Sequence, residues 1–289
     1  NQIYETYDRI FGCRGHGWAN LQSNHINLPF CGDREFGQLH AGIRLILPLI
    51  PAISASTPLF DGRPTGFLNT RLLYYRDNQK KIPSITGKVI PERVFAIKDY
   101  EKNILEKIYK DISSFDPEGV IQYEWLNSRG AIPRFDRNAF EIRTIDIQEC
   151  PLADISLSAL ITETIKAHVK EMWVPFSEQS MFHEDNLSDI LWETAEKGFD
   201  AVIDDRDFLR AFGWKKTPRC KAGDLWKHLK NELVDGSSPW SHALDTICEQ
   251  GPLAERILKS LKNDYSKENI IRVYRELGDC LEKNILFIP

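Results

Sequence analysis

"FEIRTIDIQ" (residues 140–148) is the stretch whose reading decides the fold. Its first four residues alternate, Phe140 and Ile142 against Glu141 and Arg143, the period of a strand with one buried face. From Thr144 the phase flips, so that Ile145 and Ile147 are apolar and Asp146 and Gln148 polar. An unbroken ladder keeps one phase, and the flip therefore predicts a break or β-bulge near Thr144, a device that re-aims side chains. Taken alone, such a strand shows its Glu141/Arg143 face to water, because exposed Glu and Arg are common on strands.

Around this strand the 289-residue chain has ordinary globular composition, 42% hydrophobic and 27% charged, enough for a sizeable core in one large domain or two. The net charge of −5 and the lack of any Lys/Arg block longer than "KK" argue against nucleic acid as a partner. Six scattered cysteines show no C-x-x-C and no zinc-ligand spacing, which reads as free thiols in a reducing cytosol. The longest apolar run, "IRLILPLIPAISA" (43–55), carries Arg44 and two prolines and is too short for a membrane span. It reads as a buried, kinked helix, so no membrane partner is expected. The chain opens "NQIYETYDRIFG", with neither an initiator Met nor a signal-peptide pattern, as if part of a longer protein.

The two halves differ in texture. Residues 1–150, rich in Gly, Pro, Asn and β-branched runs, predict an α+β core, and residues 151–289 predict a mostly helical part packed on it. In the first half we expect a helix at "YETYDRIF", a strand at "ANLQSNHINLPF" (19–30), a Pro-kinked helix from about Glu35, a loop over 54–71 and a helix near 101–112. In the second half helices are expected near 153–172, 183–203, 222–234, 239–249, 252–262 and 267–283, with caps at Asp154, at Ser266 and at Ser238 ahead of Pro239.

Three stretches carry chemistry. "LQSNHINL" puts polar groups on both faces of a strand; its His25 reads as a structural histidine or, flanked by Ser, Asn and Gln, as a metal ligand with its tautomer fixed by neighbours. "FDGRPTGFLNTR" reads as a surface turn or as a loop whose Arg63 and Arg71 grip an anion. "SRGAIPRFDR" (128–137) reads as a solvated basic loop or as a source of Arg129 and Arg134 beside Glu141 and Arg143. Were the two polar strands neighbours, these arginines would converge with His25 and Glu141 on one sheet face. Hard-cation ligands plus fixed positive charge are what a Mg²⁺-nucleotide phosphoryl-transfer site needs. Neither a Walker-A loop, a G-x-G-x-x-G turn nor a kinase signature is present, so a nucleotide would have to lie on the sheet surface.

In the order of its motifs the chain resembles the glutamate-cysteine ligase type 2 family of carboxylate-amine ligases, within the glutamine-synthetase-like superfamily. "LQSNHINLPF" is similar to the family's His-hydrophobe-Gly-Val-Pro strand, with His25 at the His and Asn27 in place of the Gly. "PLIPAISASTPLFDGRPTGFLNTR" is similar to its Leu-Ser-Ala-Ser-Ser-Pro, Gly-x-x-Thr-Gly, Arg segment, and "FEIRTIDIQECPLADISLSALI" to its Val-Glu-Val-Arg, Asp-x-Gln strand. "HEDNLSDILWETAEKGFDAVI" and "ICEQGPLAERIL" are similar to its Glu-Asn and Gly-x-x-Ala-x-Arg helices. The resemblance implies a curved antiparallel sheet with helices on one side, its concave face holding ATP, Mg²⁺ or Mn²⁺, and an amino acid. It places metal ligation on His25 and Glu141, phosphate or acyl-phosphate contacts on Arg129 and Arg143, and substrate-carboxylate contacts on Arg71; the loop reading adds Arg63 as a substrate-binding residue. The family's opening Gly-x-Glu-x-Glu strand has no counterpart here, and Ser23 stands where many members have a second His.

These expectations sum to a cytoplasmic, ATP-dependent ligase, open to homo-oligomerisation, that joins a carboxylate, in the first instance glutamate, to an amine through an acyl phosphate. The alternatives are a non-catalytic or truncated ligase-fold module that binds without turnover, and a metal-dependent hydrolase built on the same His/Glu pair.

Overall fold

The computed structural model describes residues 2–15 and 21–289. Strand β5 (Ala139–Asp146) is the middle of a three-stranded antiparallel sheet, flanked by β1 (Ser23–Pro29) and β4 (Ala131–Arg134). The segment 128–137, open between a loop and a source of arginines, thus contains a strand. Residues 19 and 20 of the strand expected over 19–30 lie outside the described residues.

The phase flip is a bulge. Asn24 pairs with Ile145 and Ile26 with Ile142, so His25 alone stands opposite both Arg143 and Thr144. Phe140, Ile142 and Ile145 enter the core on one side of the sheet, while Glu141, Arg143 and Asp146 occupy the other. The bulge is held from β4: the Arg143 N–H donates to the Gly130 carbonyl (2.8 Å), and a Cβ on Gly130 would lie 2.7 Å from Thr144 Cγ2. Contrary to a polar face in water, β5 is buried on both sides, with Glu141 only 6% exposed.

Helices cover the apolar face. Helix α1 (Gln2–Phe11) precedes the sheet, and after β1 the chain runs through α2 (Gly32–Ile46), a 3-10 turn and α3 (Ile50–Ser54). This kinked path is long and apolar enough to cross a membrane by length and composition, but 94% of its most apolar window is buried inside the protein. Phe36 and His40 of α2 pack on Phe140 with ring centroids 5.0 and 5.1 Å apart, and Phe30 closes the cluster. A small hairpin, β2 (Leu59–Phe60) and β3 (Arg63–Pro64), and α4 (Thr70–Asp77) occupy much of the stretch expected as loop. Helices α5 (Ile97–Tyr100) and α6 (Glu106–Ile112), joined by a π turn, extend the helix expected near 101–112.

The second half is helical, as its periodicity predicts: α7 (Pro151–Val169), α8 (Phe176–Gln179), α9 (Glu184–Lys197), α10 (Arg206–Ala211), α11 (Ala222–Leu233), α12 (Ser241–Gln250), α13 (Leu253–Leu261) and α14 (Lys267–Lys283). A two-strand ribbon, β6 (Val202–Ile203) with β7 (Cys220–Lys221), interrupts it. Ser266 caps α14 as expected. The other two expected caps differ: Cys150 is the N-cap of α7, and α12 begins at Ser241 rather than after Ser238. Asp154 instead accepts the N–H of Gln148 (3.0 Å), closing the turn between β5 and α7.

The mixed architecture is α+β, with small antiparallel sheets. The apolar core runs across residue 150, from Ile10 to Ile247. Polar contacts also bind the halves inside it: Trp226 Nε1 donates to Leu49 O (2.9 Å), Thr194 Oγ1 to Pro48 O (2.6 Å) and Arg44 Nη2 to Phe182 O (2.9 Å). Helix α2 meets α7 at Gly42, whose absent Cβ would come within 3.0 Å of His168 Cβ. A smaller apolar cluster joins α13, α14 and Phe287, with Leu59 packed against it. The buried Glu149–Arg256 ion pair (2.5 Å) ties α13 to the segment after β5.

Candidate active site

The polar face of the sheet is built from β5 outward. Glu141 Oε1 accepts from Arg143 Nε (2.6 Å), Arg134 Nη1 of β4 stands 3.5 Å from Oε2, and His25 Nδ1 of β1 stands 3.6 Å from Oε1. Pairing of β1 and β4 on either side of β5 brings groups from three strands, one of them more than a hundred residues away, onto one carboxylate. Burial opposes the charge on Glu141, but the Arg143 guanidinium, assisted by His25 and Arg134, outweighs it and holds the carboxyl below its usual range. Burial also leads for His25; together with Arg143 and Arg71 it overcomes the pull of Glu141 and lowers the imidazole below 6.5. His25 is thus neutral at pH 7, the form that ligates metals. Its Nε2 lies 2.8 Å from Ser23 Oγ, so Ser23 orients the imidazole.

Asp146 anchors the other end of this face. Its carboxylate accepts from the Ser56 N–H (2.9 Å), Thr57 Oγ1 (3.0 Å) and Arg71 Nε. Both Asp146 and Arg71 are buried, at 0% and 4% exposure. Arg71 Nη2 also donates to the Arg143 carbonyl (3.3 Å), and the Arg71 N–H donates to Thr57 Oγ1 (3.1 Å). Asn69 caps α4 through Leu72 N (3.0 Å), so the helix that presents Arg71 starts where the loop ends. Gln148 donates to Ser54 O and Asp146 O, 2.8 Å each, which joins the strand end to α3.

The expected site residues separate into groups. His25, Glu141 and Arg143 come together, and Arg71 joins them through Asp146 and the Arg143 carbonyl. Arg129 is buried in another direction: its guanidinium forks onto Glu92 (2.5 Å to each oxygen) and donates to Ser84 O (3.1 Å) and Asn127 Oδ1 (3.0 Å). Most of its five donors are spent holding the 84–92 segment. Arg63 is exposed on the hairpin and makes no ion pair with a described residue. Two residues carry more than their sequence reading suggested. Arg134 needed segment 131–134 to be recognised as a strand, which Gly130 and Pro133 obscure. Asp146 was signalled by the phase flip, since one bulge between Glu141 and Asp146 keeps both on one face.

Among the described residues no three His, Cys, Asp or Glu side chains gather as a metal cage. His25 and Glu141 form a donor pair instead. The carboxylate is an oxygen donor of the kind Mg²⁺ takes, whereas the imidazole nitrogen is a donor better suited to softer ions.

The family model for glutamate-cysteine ligase family 2 matches residues 1–276. An uncharacterized protein of Archaeoglobus fulgidus is 34% identical over 287 residues, an alignment covering 99% of this chain and 70% of that protein. With the match spanning nearly every element described above, the chain belongs to glutamate-cysteine ligase family 2, a family of ligases.

Proposed function

We propose that the chain serves an ATP-dependent carboxylate-amine ligase that forms an amide, with glutamate as the first acid to test, on the Glu141 face of the sheet. The observation that carries this reading is Glu141 itself: a buried carboxylate meeting two guanidiniums and a neutral imidazole, in a member of a ligase family. A carboxylate oxygen of the acid attacks the γ-phosphorus of ATP as the bond to the bridging oxygen of ADP breaks. The amine nitrogen then attacks the acyl carbon, phosphate departs and the amine loses a proton. Arg143 and Arg134 would supply fixed positive charge to stabilise the transferring phosphoryl group. Arg71, aligned by Asp146, would receive a substrate carboxylate, with Arg63 at the rim; Arg129 supports the face through the 84–92 segment. A bound Mg²⁺ or Mn²⁺, held by Glu141 and His25, would neutralise phosphate charge. Six free thiols support a reducing, cytoplasmic setting.

The two-donor set favours a second reading, a ligase-fold module that binds nucleotide without turnover. One experiment separates the two: amine-dependent ADP release from ATP, Mg²⁺ and glutamate against a panel of amines, alongside calorimetry of ATP-Mg²⁺ binding. Turnover lost in Glu141→Gln is expected. Metal-dependent binding without ADP release in a folded protein selects the second reading, and absence of both removes the nucleotide site.

A further inference from the structure

Five of the thirteen exposed large apolar side chains among the described residues fall between 271 and 288: Ile271, Tyr274, Leu281, Ile285 and Ile288, 39–64% exposed. On α14 the first three and Gly278 follow the 3-4-3 spacing of a coiled-coil seam. The opposite flank of α14 is already used, since Val273 and Cys280 are buried against α13. A Cβ on Gly278 would meet nothing within 4 Å, so the seam has a gap in its middle. Beside the seam lie Arg275 and Glu282, both exposed and without an ion-pair partner among the described residues. Their neighbour Arg272, by contrast, is spent on Glu276 (2.7 Å) and Ser260 O (3.0 Å).

We infer that this seam is a twofold interface in which α14 pairs antiparallel with α14 of a second copy of the chain. The inference is independent of the proposed reaction. A twofold contact must be self-complementary, and two features of α14 fit one antiparallel register. Leu281 of each copy fills the gap over the other's Gly278, and Arg275 of each lies beside the other's Glu282. The first pair is centred between Asp279 and Cys280 and the second between Gly278 and Asp279, close enough for one antiparallel alignment to serve both shape and charge. A heterologous partner would need neither a gap matched to its own knob nor unpaired charges of both signs on one flank. Ile285 and Ile288 continue the apolar surface past the end of the helix. Ile155 widens it where Asn284 Oδ1 accepts from Leu152 N (2.9 Å).

The test is the mass of the 289-residue chain by light scattering over a concentration series, with circular dichroism as a check of folding. The expected mass is twice 33.3 kDa. Leu281→Glu gives the monomer. Arg275→Glu and Glu282→Arg each weaken association by about tenfold, and the double reversal restores it, as close complementary charges predict. Lys283→Glu, off the seam, changes nothing. A monomer at every concentration to roughly 100 µM, tight enough to detect any micromolar dimer, overturns the inference. So does a dimer indifferent to Leu281→Glu, or single reversals that the double does not rescue. Protection of α14 from hydrogen exchange in a monomeric, longer form of the chain overturns it in favour of an intramolecular cover.

Discussion

Asp146 and Arg63 set the extremes of what one charged residue does here. Asp146 is wholly buried and accepts three hydrogen bonds that orient Arg71 and the loop at Ser56–Thr57. Asp146→Asn leaves the Arg71 guanidinium buried without a counter-charge. Loss of one partner from such a pair costs about 3–5 kcal/mol, and we expect the urea midpoint to fall accordingly with unchanged m. Arg63→Ala, at an exposed hairpin position, should move stability by no more than about 0.5 kcal/mol. Any effect of Arg63→Ala on ligand binding would then be a direct one. Both side chains are charged residues in polar stretches of sequence. Only burial, which depends on what the rest of the chain places around them, separates their roles.

Among elements, the bulge in β5 matters most, because it lets one strand send Phe140, Ile142 and Ile145 into the core while keeping Glu141, Arg143 and Asp146 together. Its legibility came from the phase flip, a period-2 pattern that any slip of one residue inverts. The position of its partner was not legible: that His25 stands opposite the bulge follows from pairing across more than a hundred residues. Gly130 presses directly on the bulge, so Gly130→Ala should cost about 1–3 kcal/mol through overpacking against Thr144 Cγ2. Thr144→Ser removes that methyl, and the double variant should recover part of the loss of thermal stability. Equal melting temperatures for Gly130→Ala and the double variant would show that the Val89 contact on the other side controls the strain instead. Most helices of the second half were readable to within a few residues from periodicity, with Ser266 the one expected cap that the structure uses. The short α8 and α10 and the β6–β7 ribbon were not, since elements of two to six residues carry less than two turns of pattern.

At the scale of the whole molecule, stability should be acid-sensitive for a reason that lies in the core. His40 is buried against Phe140 between the sheet and α2, His168 between α2 and the Trp173 and Phe212 rings, and burial drives both imidazoles down to about 3. His40 Nδ1 lies 2.7 Å from Val94 O, whereas neither nitrogen of His168 has a hydrogen-bond partner among the described residues. Below an unfolded value near 6.5 the unfolded chain takes up protons that the folded chain refuses. Their contribution is therefore complete above pH 6.5 and is lost progressively as pH falls towards 3. The slope is about 1.4 kcal/mol per pH unit for each histidine. Urea midpoints between pH 7 and 5 should fall with a slope that His168→Leu roughly halves. A slope unchanged in that variant would assign the acid sensitivity to other groups.

The sequence by itself determined the α+β class, the family, the helical periodicity of residues 151–289 and the residues that share the polar side of β5. Each of these is written in local period, in caps, or in motifs a few residues long. Tertiary structure alone decided which charges meet. It brought Arg134 and His25 to Glu141, gave Arg71 to Asp146, and turned Arg129 to Glu92. Ion pairing between residues far apart in the chain depends on strand register and on which groups lose their water, and neither is a property of any short stretch of sequence.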